Sequence, residues 1–315
     1  MIVTLTPNPS VDRTIAVDRL DRGEVHRASS SRIDPGGKGV NVARALSAQG
    51  TPTLAVLPVG GPEGHLMEAL LADADVPTRS VPVAGTLRMN VTVVEPGGCT
   101  TKLNEPGPVL TSAEIAALVA ATTDAATNAS WVVGCGSLPP QAPTELYAAL
   151  VAAVRRLGVR VAIDSSGSPL HAAVAARPHL IKPNHEELAE LVGHPLPTLA
   201  DVRDAARDLV AEGIETVAVS LGRDGALLVD TDIVVHGTAE IATRLSTVGA
   251  GDCMLAGLLH ALAAGADPAH ALATAVTWGS AAVTLPGSRV PTPDDLIGIR
   301  AAVTDAPDLT HRLSS

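Results

Sequence analysis

The chain is 315 residues long, 46% hydrophobic, and carries a formal net charge of −11. That length buries a large core, as one large α/β domain or two smaller ones, and the acidic balance argues against nonspecific nucleic-acid binding. No apolar stretch is long enough to span a bilayer, because charged, proline or glycine positions interrupt the alanine-rich runs.

Residues 2–6 read as a first strand, without the basic region or cleavage pattern of a secretory leader. Residues 11–34 and 86–104 alternate polar and apolar positions between turn residues. Both read as short antiparallel strands outside the main sheet, the second running through Val91-Thr92-Val93-Val94 into Pro96-Gly97-Gly98. Between them, Pro35-Gly36-Gly37-Lys38-Gly39-Val40-Asn41 precedes a helical run at 42–49 that stops at Gly50. This glycine turn offers backbone N–H groups at a helix start, together with a cation and an amide. It has neither the Lys-Ser/Thr spacing of a Walker loop nor the G-x-G-x-x-G order of a dinucleotide fingerprint.

Further strands are predicted at 53–58, 131–134, 159–164, 180–182, 216–220 and 225–230. Alanine-rich helices fall at 112–126, 143–157 and 199–212, with Ser112 and Glu114 as a cap region and Gly158 and Gly213 as stops. Such alternation implies a parallel sheet covered on both faces, with ligands at the C-terminal ends of its strands. With one tyrosine, two tryptophans and no phenylalanine, alanine, valine and leucine must fill its interior. Cys99, Cys135 and Cys253 show no metal-site spacing and cannot all pair, so they read as reduced thiols of a cytoplasmic protein. The last residues, 308–315, are expected to fray.

The most telling segment is Ser246-Thr247-Val248-Gly249-Ala250-Gly251-Asp252, which opens a helical pattern at 253–264. Gly249 and Gly251 lack a β-carbon, so their N–H groups can approach an anion closely, and the helix dipole reinforces the site. Asp252 then stands where negative charge would gather; its plain alternative is a helix N-cap. Lysine is rare, at Lys38, Lys102 and Lys182 alone, in a chain whose other basic side chains are nearly all arginine. Lys38 lies in the first glycine turn and Lys182 in Ile181-Lys182-Pro183-Asn184. Two anion-binding turns point to two phosphate-bearing ligands. Trp131 and Trp278 read as packing residues. Asp164 ends a strand at the ligand edge, either orienting groups near phosphates or capping a turn.

These turns lie within a longer series of strings: Thr6-Pro7-Asn8-Pro9-Ser10-Val11-Asp12, Arg88-Met89-Asn90-Val91, Asn104-Glu105-Pro106-Gly107, Gly136-Ser137-Leu138-Pro139-Pro140, Asp164-Ser165-Ser166-Gly167 and Ser220-Leu221-Gly222. In this order, and nearly end to end, the chain resembles the ribokinase-like PfkB carbohydrate kinases, in their 1-phosphofructokinase and tagatose-6-phosphate kinase branch. The resemblance implies a three-layer α/β/α sandwich with a mostly parallel central sheet and a small β-sheet lid. Residues 1–315 would form a single kinase domain, with lid segments 11–34 and 86–104 closing over the sugar and pairing with a second subunit's lid in a homodimer. Departures are modest: Cys135 replaces the commoner serine before the Gly-Ser-Leu-Pro-Pro string, and Gln141 replaces a glycine after it.

The implied chemistry is magnesium-dependent transfer of a phosphoryl group from ATP to a phosphorylated ketohexose, D-fructose 1-phosphate giving the 1,6-bisphosphate. Tagatose 6-phosphate and fructose 6-phosphate are the alternative substrates, and a noncatalytic sugar-phosphate sensor is the alternative class. Asp252 would be the base and Gly249, Ala250 and Gly251 the anion hole. Asp12, Gly37, Asn41, Asn90 and Ser137 would hold the sugar, with Lys38, Arg88 and Arg27 on its existing phosphate. Lys182, Asn184, Ser220, Gly222 and Gly225 would hold the nucleotide, with adenine near Ala281 and residues 286–288. Glu187 would act on magnesium, partly through water; its alternative is an acidic position favoured at a helix start.

Overall fold

The computed structural model describes residues 1–97 and 99–314. Gly98, expected in a turn, and Ser315 lie outside the described residues. The first elements are strands Ile2–Leu5 (β1), Ser10–Ala16 (β2) and Ser30–Gly36 (β3), then helix Lys38–Ala48 (α1) and strand Thr53–Val59 (β4). Helix Gly61–Asp73 (α2) follows, with strands Thr78–Pro82 (β5), Arg88–Val94 (β6) and Thr100–Asn104 (β7). Helix Ser112–Ala126 (α3) leads to Trp131–Cys135 (β8), Leu146–Arg156 (α4), Arg160–Asp164 (β9), Gly167–Ala175 (α5) and Leu180–Ile181 (β10). The remainder comprises His185–Val192 (α6), Leu199–Ala211 (α7), Thr216–Ser220 (β11), Ala226–Val229 (β12) and Val234–Ala239 (β13). Helices Ala250–Ala263 (α8) and Pro268–Val283 (α9) precede the last strand, Ala301–Thr304 (β14).

The large sheet has the order β14-β13-β12-β11-β10-β9-β8-β1-β4-β5. Every neighbouring pair from β11 to β5 is parallel, whereas β12, β13 and β14 add antiparallel strands at one edge. Alternate residues enter different layers, as a twice-covered sheet requires. Val3 and Val132 pack with α3, α4 and α7, while Ile2 and Trp131 pack with α1, α8 and α9. Small residues let α8 and α9 approach: a β-carbon on Gly257 would press on the Thr274 carbonyl and the Trp278 ring at 3.0 Å. Trp131 and Trp278 are both buried packing residues.

From β1 the chain moves to β4 and β5 on one side, then returns to β8 and beyond on the other. The gap beyond the C-terminal ends of β1 and β8 is therefore a topological switch point, where open α/β sheets bind ligands. The second sheet, in order β3-β2-β6-β7, stands over this end of the molecule. It is mixed rather than purely antiparallel, because β2 pairs with β6 in parallel from Ser10↔Arg88 to Ala16↔Val94. A parallel pair needs a long crossover, and here α1, β4, α2 and β5 supply it.

Several boundaries shift. The first glycine turn is helical from Lys38 rather than residue 42, and α8 begins at Ala250 rather than 253. Thr111, not Ser112, caps α3, in a capping box with Glu114. Within the tail expected to fray, Leu309 and His311 are tied down: the Ala200 and Leu199 N–H groups bond their carbonyls, each at 3.0 Å.

Candidate active site

The start of α1 fills the switch point because glycine lets it. Gly37 is the N-cap with φ 112°, and a β-carbon there would meet the Thr6 methyl at 2.9 Å. Gly39 abuts the Leu5 carbonyl and the Cys135 side chain, which are the ends of β1 and β8. A β-carbon on Gly36 would overlap the Asp12 carboxylate, so this glycine makes room for it.

Asp12 faces that turn from the second sheet. Its Oδ1 accepts from Ser10 Oγ at 2.7 Å and from Asn90 Nδ2 at 3.0 Å, as the Asp12↔Asn90 register permits. Burial raises its pKa, against the lowering effect of the Ser10 and Asn90 hydrogen bonds and of Arg88. The Arg88 guanidinium donates to the carbonyls of Asn8 at 2.9 Å and Glu105 at 3.3 Å, which joins three of the sequence strings.

Across the turn, Asp252 is the third residue of α8, not its cap; Gly249 is the N-cap, in the left-handed region at φ 80°. The Ala250 N–H bonds the Thr247 carbonyl at 3.3 Å. Gly251 and Asp252 lie in the first turn, where backbone N–H groups have no acceptor within the helix. Asn41 Nδ2 donates to Asp252 Oδ2 at 2.8 Å. Burial, then the nearby Asp164 charge, pushes the Asp252 carboxyl up to about 6, although Asn41, Lys38 and Lys182 oppose the shift.

Asp164, 1% exposed at the end of β9, organises the cations. Lys38 Nζ lies 2.8 Å from its Oδ1 and Lys182 Nζ 3.3 Å from its Oδ2. Burial works to raise the Asp164 pKa, but the two lysines outweigh it and hold the pKa low. Likewise burial would lower Lys38, yet Asp164 and Glu187 hold it well above the usual lysine range. Lys182 also lies against Gly251, where an added β-carbon would stand 3.5 Å from Nζ.

Beside this cluster is a cavity of about 520 Å³. Asn184, Ser220, Gly222 and Gly225 line it, with Ala250 and Gly251 at its inner end. Gly222 and Gly225 carry φ 61° and 86°, conformations that the tight turn after β11 requires. Asn184 and Glu187 form the capping box of α6: Glu187 Oε2 accepts the Asn184 N–H at 2.8 Å, and Glu187 Oε1 lies 3.3 Å from Lys38 Nζ.

The chain that carries these glycine turns, lysines and buried carboxylates matches a known family. Residues 6–295 fit the pfkB family carbohydrate kinase model. The chain belongs to the pfkB carbohydrate kinases. It is 39% identical to a 1-phosphofructokinase of Rhodobacter capsulatus, over 96% of both chains. It is 37% identical to ATP-dependent 6-phosphofructokinase isozyme 2 of Escherichia coli, over 93% of this chain and 96% of that one. A crystal structure of phosphofructokinase-2 from Escherichia coli, in complex with potassium, superposes with a TM-score of 0.89. That pair shares 35% identity and covers 94% of this chain and 96% of the other.

For this pfkB kinase, several expected placements need correction. The expected clamp of Lys38, Arg88 and Arg27 on one sugar phosphate is not assembled. Lys38 turns to Asp164 and Glu187, because a buried carboxylate without a counter-charge is costly. Arg27 is exposed in the loop between β2 and β3. Ser137 is exposed just after Gly136, whose position beside Lys38 puts it at the rim. Ala281 is fully buried, and the cavity wall there consists of Val276, Gly279, Ser280 and Val283 rather than Ala281 and residues 286–288.

Sequence reasoning assigned no role to Ser10, Gly36 or Arg44, and did not treat Asp164 as an organiser. For Ser10 and Gly36 the signal was present in the flanking strings. For Asp164 it was the presence of two of the chain's three lysines in ligand turns, each needing a buried counter-charge.

Proposed function

We propose that this carbohydrate kinase transfers the γ-phosphoryl group of ATP to a phosphorylated ketohexose, D-fructose 1-phosphate giving D-fructose 1,6-bisphosphate. The observation that carries the reading is Asp252. It is a buried carboxylate held by Asn41 beside two lysines and the N-terminal turn of α8, with its pKa raised to about 6. Such a group is ionised at neutral pH yet basic enough to accept a proton. In the reaction, the substrate hydroxyl oxygen attacks the γ-phosphorus while Asp252 takes its proton, and the bond to the β-phosphate oxygen breaks to release ADP. The Gly251 and Asp252 N–H groups, with Lys182 and Lys38, stabilise charge on the transferring group. Asp12 and Asn90, with Gly37 and Asn41, hold the sugar hydroxyls; Asp12 has two acceptor oxygens suited to neighbouring hydroxyls. Arg88 is the cation beside them for the sugar's own phosphate, and Ser137 stands at the rim.

ATP occupies the 520 Å³ cavity, its phosphates at Lys182, Asn184 and Gly251 and its nucleoside beside Ser220, Gly222 and Gly225. Among the described residues no three histidine, cysteine or acidic side chains converge as a metal cage. Glu187, whose Oε1 lies 3.3 Å from Lys38 Nζ, would reach the water shell of a magnesium ion carried on the nucleotide phosphates. When bound, the ion neutralises charge on the β- and γ-phosphates.

We take residues 1–315 as one kinase domain with its lid at about 11–34 and 86–104, and the active form as a homodimer through the lids. Among the described residues no helix is long and apolar enough to cross a membrane, and the three cysteines are free. Both fit a cytoplasmic enzyme.

Fructose 6-phosphate is the second reading, with tagatose 6-phosphate beside it. One observation favours it: Lys38, expected on the phosphate of the sugar, is committed to Asp164. A coupled assay of ADP release with fructose 1-phosphate, fructose 6-phosphate, tagatose 6-phosphate and fructose decides among them. We expect kcat/KM to be highest with fructose 1-phosphate. A higher value with another sugar phosphate overturns that choice, and binding without any turnover points to a sensor.

A further inference from the structure

Arg44 lies one helical turn after Asn41 in α1 and is 9% exposed. Its hydrogen bonds go to neutral oxygens: Nη1 is 3.1 Å from the Pro35 carbonyl, 3.1 Å from the Ser288 carbonyl and 3.2 Å from Asn41 Oδ1. Its Nε has no hydrogen-bond partner, and burial lowers its pKa. Burying a cation in this way is costly, so the guanidinium is not there to improve packing.

What it does follows from the chemistry of an amide. Asn41 presents an acceptor on one side and a donor on the other, and nothing in its own shape decides which side faces Asp252. Arginine can only donate. With Arg44 on one side, the Asn41 oxygen must face it, which leaves the amide NH₂ to donate to Asp252 Oδ2 at 2.8 Å. That bond holds one Asp252 oxygen and leaves the other outside it. Without Arg44, only the carboxylate itself would hold that orientation, and a protonated Asp252, which can donate, would release it.

Resting on the reading of Asp252 as the base, we propose that Arg44 is a positioning residue for phosphoryl transfer: it fixes the orientation of the Asn41 amide and, through it, the Asp252 carboxylate. The same guanidinium grips the segment at Ser288, which Arg32 of β3 holds one turn away through the Pro286 carbonyl at 3.1 Å. The charged groups facing Asp252 are Lys38 from α1, Asp164 from the end of β9 and Lys182 after β10; Cys253, on its own helix, is a thiol that burial keeps protonated.

The test compares Arg44→Met, Arg44→Lys, Asn41→Ala and the Arg44→Met/Asn41→Ala pair. Arg44→Met should lower kcat about tenfold or more, with KM for sugar phosphate and ATP within about threefold. Its acidic limb of kcat should move to higher pH, because the carboxylate loses a hydrogen bond that favours its charged form. Arg44→Lys, which keeps a donor, should recover most of the loss. In the Asn41→Ala background, Arg44→Met should cost less than about twofold more, since both changes break one chain of contacts. An equal Arg44→Met loss in both backgrounds, or a lower melting temperature with kcat and its pH limb unmoved, overturns the proposal. If Arg44→Met fails to fold, Arg44→Gln replaces it under the same criteria. Turnover by Asp252→Asn at the wild-type rate would instead sink the reading of the base itself.

Discussion

Asp252 carries a cost as well as a function. Its folded pKa is about 6 against an ordinary 3.8, so the folded state prefers the protonated form. The stability associated with that proton is fully present below the unfolded value and is lost as pH rises through about 6. The ionised carboxylate therefore costs on the order of 1–3 kcal/mol at pH 8. Asp252→Asn should raise the melting temperature at pH 8, lose that advantage toward pH 4, and lower kcat ~10²–10⁴-fold. In the wild type, kcat should fall as pH drops below about 6. An unchanged melting temperature at pH 8 would mean that the carboxylate is well solvated. Lys38 and Arg88 separate by the same logic of partners. Arg88→Met should lower kcat/KM for the sugar phosphate by roughly tenfold or more while affecting free fructose far less. Lys38→Met leaves Asp164 short of a counter-charge and should depress turnover of both. Equal losses on both sugars for Arg88→Met would remove it from the phosphate site.

At the scale of elements, the site depends on short segments that stop others from moving. Asp224, in the turn after β11, accepts the Ser314 N–H at 2.7 Å and lies 3.1 Å from His311 Nε2. Leu313 bonds back to the Pro197 carbonyl at 3.1 Å, and Ser314 reaches the wall of the proposed nucleotide cavity. The tail lies beyond the residues that fit the family model, 6–295. Asp224→Ala, which removes the contacts at His311 and Ser314, should raise KM for ATP about three- to tenfold and leave kcat at saturating ATP within about twofold. Unchanged KM would make the tail a packing element only. The same scale explains why Asn184 and Glu187 were ambiguous: a capping box and a phosphate-side carboxylate use the same spacing, and Glu187 bonds the Asn184 N–H with one oxygen and Lys38 with the other.

For the whole molecule, the lid poses the open question of partnership. All seven residues of β6 are only half-buried, and Leu103 of β7 and Val25 of the β2–β3 loop are 61% and 86% exposed. A four-stranded sheet with apolar side chains left open favours a second covering surface. Light scattering should give twice the 31.8 kDa chain mass at working concentrations. Charged substitutions at Leu103 should shift it toward the monomer and lower activity; a fully active monomer of the wild type would remove the lid dimer.

The sequence by itself determined much of this protein. Strand–helix alternation and buried-strand composition specify a parallel sheet, because hydrophobic period and turn residues are local properties that need no partner to be read. Gly37 and Gly249, at φ 112° and 80°, were equally legible, since glycine is the residue that adopts such backbone angles without strain. Tertiary structure decided what depends on distant partners. Asp164 lies 126 residues from Lys38, and only their approach reveals that the lysine neutralises a buried carboxylate. Asn41 and Asp252 are 211 residues apart, so the raised pKa of this carboxyl has no local signature. The parallel β2–β6 pairing is likewise a product of the crossover between them, not of either strand's pattern. Local chemistry sets which conformations a segment can adopt; burial and opposite charge, which act only after the chain has closed on itself, set which way its side chains turn.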